Sequence, residues 1–179
     1  MKTISLIHIG DVHYPEAKNS QLKADIKDKG FPSGVVSAIA PNKLKQVADQ
    51  IRELLISNNN VRGILISGDL TSKGNLNGYS ECVKFLSNSL SLEDANVWKD
   101  RYLHVVPGNH DIDRSAVISS GDLFDKFKPL LSSWSGHGSP GLSANNVGIS
   151  QISYNGCSTS IFSLNTCIGC NERRYLPEP

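Results

Sequence analysis

An α/β fold with a parallel sheet covered by helices is predicted by three observations. Three apolar, β-branched segments each run into a glycine and a polar cluster, and amphipathic helical patterns separate them. All three polar clusters also carry side chains that bind metals or move protons. A strand-helix-strand-helix-strand order favours right-handed crossovers and hence parallel strands.

The first strand runs from Ile4 to Ile9, before Gly10-Asp11. The apolar stretch after Met1 is short and holds His8, so it reads as a strand rather than a targeting peptide. A cytoplasmic location is then the default, with Cys82, Cys157, Cys167 and Cys170 reduced. Tyr14 to Ala40 is rich in lysine and turn formers and reads as a long surface loop with a short helix around Leu22 to Ile26. Lys18, Lys23 and Lys27 in that loop could draw in an anionic substrate, although a solvated loop is the commoner role.

Leu44, Val47, Ala48, Ile51, Leu54 and Leu55 recur at helical spacing after Pro41, and Asn58-Asn59-Asn60 supplies the stop. The second strand, Gly63 to Ser67, precedes Gly68-Asp69. Tyr79, Cys82, Val83, Leu86 and Leu90 repeat the helical pattern, and Tyr102 to Val106 leads into Pro107-Gly108-Asn109 as the third strand. Leu123, Phe124, Phe127, Leu130, Leu131 and Trp134 predict a helix interrupted at Pro129. A Ser/Gly-rich stretch covers 132–146. Val147 to Tyr154 and Thr159 to Leu164 flank Asn155-Gly156, a hairpin signal because both turn residues tolerate positive φ. The segment 171–179 has no periodicity.

Composition narrows the function classes. The chain has 179 residues, and 18 Lys plus Arg against 17 Asp plus Glu leave a net charge of +1. No basic face dominates, which disfavours a nucleic-acid-binding surface. At 39% hydrophobic and 20% charged the chain is too apolar for disorder and too interrupted for a membrane span. One domain over 1–179 is expected. Cys167-Ile168-Gly169-Cys170 has the spacing of a zinc knuckle or redox pair, but no second pair exists and ordinary thiols are the expected reading.

A parallel sheet presents its functional side chains at the carboxyl ends of its strands. Here these ends carry Asp11-Val12-His13, Gly68-Asp69 and Gly108-Asn109-His110-Asp111. In an extended segment Asp11 and His13 would point to the same side and reach one centre. Glycine ahead of each polar residue permits a sharp turn and close approach. The Asp, Asn and His donors suit divalent manganese, iron or zinc. Taken singly, Asp69 and Asn109 could be turn formers, His8 and His104 satisfied core histidines, and His137 a loop histidine. Three coincident strand ends favour one shared site.

These three blocks, in this order, resemble the D-x-H, G-D and G-N-H-D motifs of the calcineurin-like metallophosphoesterases. The resemblance is close over roughly the first 115 residues, with Ser163-Leu164-Asn165-Thr166 a looser echo. It implies a metallophosphoesterase-like sheet sandwich flanked by helices and a hydrolase acting on phosphoric esters, most specifically a phosphodiesterase. It implies two divalent metal ions, with Asp11 and His13 on one, Asp69 bridging both, and Asn109 on the second. His110 would stand beside the scissile phosphate as general acid or transition-state stabiliser. Asp111 or Asp113 would orient His110, or be a solvated turn carboxylate. A phosphate ester, with nucleotides among the candidates, is the implied substrate.

The family pattern continues with a histidine block and a G-H-x-H block, which do not occur here, and no histidine follows Asn165. The expected explanation is an amino-terminal portion of a longer phosphoesterase, with a sandwich incomplete at its carboxyl-terminal end. An apolar edge exposed in this way could form a homodimer. Weak metal binding and slow or absent hydrolysis are expected of these residues alone. The alternative is a non-catalytic interaction or regulatory module with a degenerate site.

Overall fold

The computed structural model describes residues 3–14, 41–71, 76–111, 127, 148–164 and 167. The expectations for 15–40, for the helix at 123–134 apart from Phe127, for the 132–146 stretch, and for His137, Asp113 and Cys170 lie outside them. Strands β1 (Ser5–Ile9), β2 (Val61–Ile66) and β3 (Tyr102–Val105) form a parallel sheet in the order β1-β2-β3. Helices α1 (Pro41–Ser57) and α2 (Leu76–Ser89) connect them. A short helix α3 (Ala95–Trp98) precedes β3. Strands β4 (Gly148–Tyr154) and β5 (Cys157–Ser163) pair antiparallel. The mixed α/β architecture is the one expected from the sequence.

Register places the core. Ile7, Ile64 and Leu103 stand side by side, as do Ile9, Ile66 and Val105, and these two rows pack into the core with the helices. Helix α1 turns Leu44, Ala48, Ile51 and Leu55 toward that core, a stripe spaced four, three and four residues apart. Val47 and Leu54, expected on the same face, fall outside this stripe and are about half exposed. From α2, Tyr79, Cys82 and Leu86 are buried with Leu90 just beyond, and Phe127 meets Tyr79 edge to face.

The helix ends follow local chemistry. Asn58 stops α1 as expected: its side chain accepts the Asn60 N–H at 2.9 Å and its carbonyl accepts the Val61 N–H at 3.1 Å, leading straight into β2. Past α2, Ser91 adopts φ +53° and the Leu92 N–H reaches back to the Ser87 carbonyl at 3.0 Å, a Schellman-type close. At 4 residues, helix α3 is too short to show a periodic apolar pattern. Its signal is Asp94, whose carboxylate caps the amides of Asn96 and Val97. The hairpin turn is Asn155-Gly156, with φ of +50° and +78° as a type I′ turn requires.

On the opposite face of the sheet Leu6, Gly63 and Tyr102 form one row, and His8, Leu65 and His104 the next. His8 is exposed and hydrogen-bonded to Ser67 at 2.8 Å, which corrects its expected place in the core. A one-residue step along a strand puts it on this second face, where a cleft of about 270 Å³ lies between His8, Ser67 and His104 and the end of β5. His104 is buried. Its Nδ1 lies 3.3 Å from Ser150 Oγ of β4, and its Nε2 has no partner among the described residues.

Burial lowers the His104 pKa from its ordinary 6.5. The unfolded chain therefore takes up a proton before the folded one does. The resulting contribution to stability is complete above pH 6.5 and is lost as pH falls through the window below it. His104→Asn keeps a polar atom for Ser150 and does not titrate. The difference in urea midpoint between wild type and this variant should shrink on acidification from pH 7.5 to pH 5.5, as read by circular dichroism.

Candidate metal centre

The ends of β1, β2 and β3 converge as the parallel sheet requires. Ligand-type atoms of Asp11, His13 and Asp69 lie within 4.8 Å of one another. His13 Nε2 is 3.8 Å from Asp11 Oδ1, with the His13 side chain 23% exposed and Asp11 80% exposed. The route by which Asp11 and His13 meet differs from the expected one. β1 ends at Ile9, and Asp11 and His13 adopt φ of +54° and +45° rather than an extended conformation. Val12 between them is buried in the core. Left-handed turns on either side of this anchored valine, rather than strand alternation, bring the two polar side chains together.

Asp69 shares this conformation, at φ +50°. Each non-glycine residue held there costs about 1–2 kcal/mol, and three at one site are backbone strain concentrated where ligands are presented. The ties that hold His13 and Asp69 are short. The Asp69 carbonyl accepts the His13 N–H at 2.8 Å, the Leu70 carbonyl accepts the Tyr14 N–H at 2.8 Å, and Asp69 Oδ1 accepts the His110 N–H at 3.0 Å. Gly68 and Gly108 let the β2 and β3 loops touch: a Cβ on Gly68 would sit 2.1 Å from Gly108 N.

His110 joins the cluster, its ring lying edge-on to His13 at a centroid distance of 5.2 Å. Asn109 is half-buried between Gly108 and His110, and so is carried to the same edge by the β3 loop. Asp111 is not a solvated turn carboxylate: it is fully buried, with Oδ2 accepting the Gly108 N–H at 2.9 Å and Oδ1 the Thr71 N–H at 3.1 Å. Burial pushes its carboxyl up to about 7 and the nearby Asp69 charge adds to this, against the amides of Gly108, Thr71 and Leu70, which favour the ionised form.

Two contributors were not legible as site residues. The Tyr79 hydroxyl, read only as part of the α2 core stripe, donates to the Asp111 carbonyl. Cys167, read as an ordinary thiol, is buried with its Sγ 3.5 Å from the Pro107 carbonyl.

Two carboxylates and an imidazole at this separation form a donor set that fits a divalent cation of the first transition row. A sequence model of the calcineurin-like phosphoesterases matches residues 4–165, which include every one of these side chains. The chain belongs to the calcineurin-like phosphoesterase family. Searches among curated proteins and among solved structures find no significant match. Membership makes this a metal-dependent phosphoesterase in general terms, with the Asp11-His13-Asp69 group where its cation would be held. No helix among the described residues is long and apolar enough to cross a membrane.

Proposed function

We propose that this calcineurin-like phosphoesterase hydrolyses phosphodiesters at a dinuclear centre. Asp11 and His13 would hold one divalent cation, Asp69 would be shared, and Asn109 would hold the second, with manganese, iron or zinc as the candidate ions. The observation that carries the proposal is the Asp11-His13-Asp69 cluster, within 4.8 Å and bordered by His110. Such cations, when bound, neutralise phosphoryl oxygens and acidify water.

The chain's own residues supply the rest. Asp69 Oδ1 accepts the His110 N–H at 3.0 Å, so the β3 loop is anchored beside the cluster where it carries the imidazole. From there the imidazole can hold a proton for the departing alkoxide or stabilise charge on it. A net charge of +1 favours a small diester, nucleotides included, over a long nucleic-acid track.

The test is hydrolysis of bis(p-nitrophenyl) phosphate with manganese. Turnover should be slow, abolished by EDTA, lost in Asp69→Asn and strongly reduced in His110→Ala. Turnover that is indifferent to EDTA, or unchanged in both variants, rules the proposal out.

A further inference from the structure

The β2 and β3 loops exchange carboxylate–amide bonds in both directions. Asp69, from the β2 loop, accepts the His110 N–H of the β3 loop at 3.0 Å, and Asp111, from the β3 loop, accepts the Thr71 N–H of the β2 loop at 3.1 Å. The second carboxylate also closes its own turn. Asp111 Oδ2 accepts the Gly108 N–H at 2.9 Å while the Asp111 N–H donates to the Gly108 carbonyl at 3.1 Å. Tyr79 of α2 donates to the Asp111 carbonyl, so the clamp is pinned to a helix of the core. Thr71 and Asp111 are both fully buried.

We infer that Asp111 is a positioning residue of the metal centre, its carboxylate setting the β2 loop against the β3 loop so that Asp69 and Asn109 are presented together. The inference rests on the dinuclear reading, in which those two residues are ligands from different loops. It also revises the expected role of Asp111. The carboxylate grips backbone amides on two loops, so its influence reaches Asp69, Asn109 and His110 together rather than His110 alone. Both oxygens are used as acceptors. Asparagine has one oxygen, and its amide would point a donor at either the Gly108 or the Thr71 N–H. The clamp would open at one end while side-chain volume stayed the same.

The experiment titrates manganese into the full chain and follows the free ion by electron paramagnetic resonance, for wild type, Asp111→Asn and Asp69→Ala. Thermal unfolding is recorded for each, and binding is compared at a temperature where all are folded. Asp111→Asn should weaken manganese binding by at least about tenfold, as expected for groups that orient metal ligands. A role confined to stability would lower the unfolding temperature and leave the affinity of the folded protein unchanged. That outcome, with Asp69→Ala impaired, overturns the inference alone. Wild type that binds no manganese, or Asp69→Ala that binds as wild type does, overturns the dinuclear reading and this inference with it. If Asp111→Asn does not fold, Asp111→Glu is titrated instead. It keeps the charge and both oxygens but moves them by one methylene, and it should again bind at least about tenfold more weakly. Wild-type affinity in Asp111→Glu would sink the inference.

Discussion

Gly108→Ala should abolish manganese binding and phosphodiester hydrolysis, and should lower stability by about 3 kcal/mol or more. The reason is contact rather than backbone preference. A Cβ on residue 108 would sit 2.1 Å from Asp69 Oδ1 and 2.4 Å from Asp69 N. The carboxylate oxygen could rotate away, but the amide nitrogen belongs to the backbone and cannot move without carrying its loop. Relief therefore requires the β2 and β3 loops to separate. Separation breaks the Asp69–His110 bond at 3.0 Å and the Asp111–Thr71 bond at 3.1 Å in one movement. It also displaces Asp69 from Asp11 and His13, dispersing the three donors that lie within 4.8 Å. Manganese titration and urea unfolding of the variant check the two effects separately. Wild-type affinity in a folded Gly108→Ala protein would show that the loops can part without disturbing the centre.

How legible this centre was in the sequence depends on the kind of information each part needed. The strand ends were readable because Ile4 to Ile9, Gly63 to Ser67 and Tyr102 to Val106 are short apolar runs stopped by glycine and polar residues. Parallel order then sends Asp11, His13, Asp69 and Asn109 to one edge. The hairpin was readable from Asn155-Gly156 alone, since few dipeptides accept two positive φ values. Extended alternation, by contrast, gave the wrong account of Asp11 and His13. The left-handed conformation of His13 is sustained by hydrogen bonds from the His13 and Tyr14 N–H groups to the β2 loop, a partner some 56 residues away that no local pattern displays. Asp111 looked like a turn carboxylate for the same reason. Its burial comes from Thr71, Tyr79 and Gly108 meeting across two loops and a helix. The face that His8 occupies is not legible in the sequence, because one residue of strand phase decides it and an apolar neighbourhood does not set that phase.

Arg101→Met should destabilise the protein by about 4 kcal/mol, with a urea midpoint that falls at unchanged slope. Nothing in the metal centre is involved. Arg101 stands just before β3 and is 7% exposed. Its guanidinium donates from Nε to the Val61 carbonyl at 2.9 Å, from Nη2 to the Leu55 carbonyl at 2.5 Å, and from Nη1 to the Val97 carbonyl. Those acceptors belong to the first residue of β2, the last turn of α1 and helix α3. One cation thus gathers the elements that enter the sheet at the end opposite the ligands, and it meets two helices near their carbonyl-rich ends, where positive charge is favoured. Burial lowers its pKa and the neighbouring Arg62 charge adds to this, but the planar fork remains charged and finds an acceptor on each nitrogen. Methionine fills comparable space and donates nothing, leaving three carbonyls short of a charged partner at about 1.5–3 kcal/mol each before water or local relaxation compensates. Lysine carries the same charge on a single nitrogen and cannot span three acceptors on separate elements. Arg101→Lys should therefore recover only part of the loss, and full recovery would mean that charge alone, rather than the fork, holds these elements together.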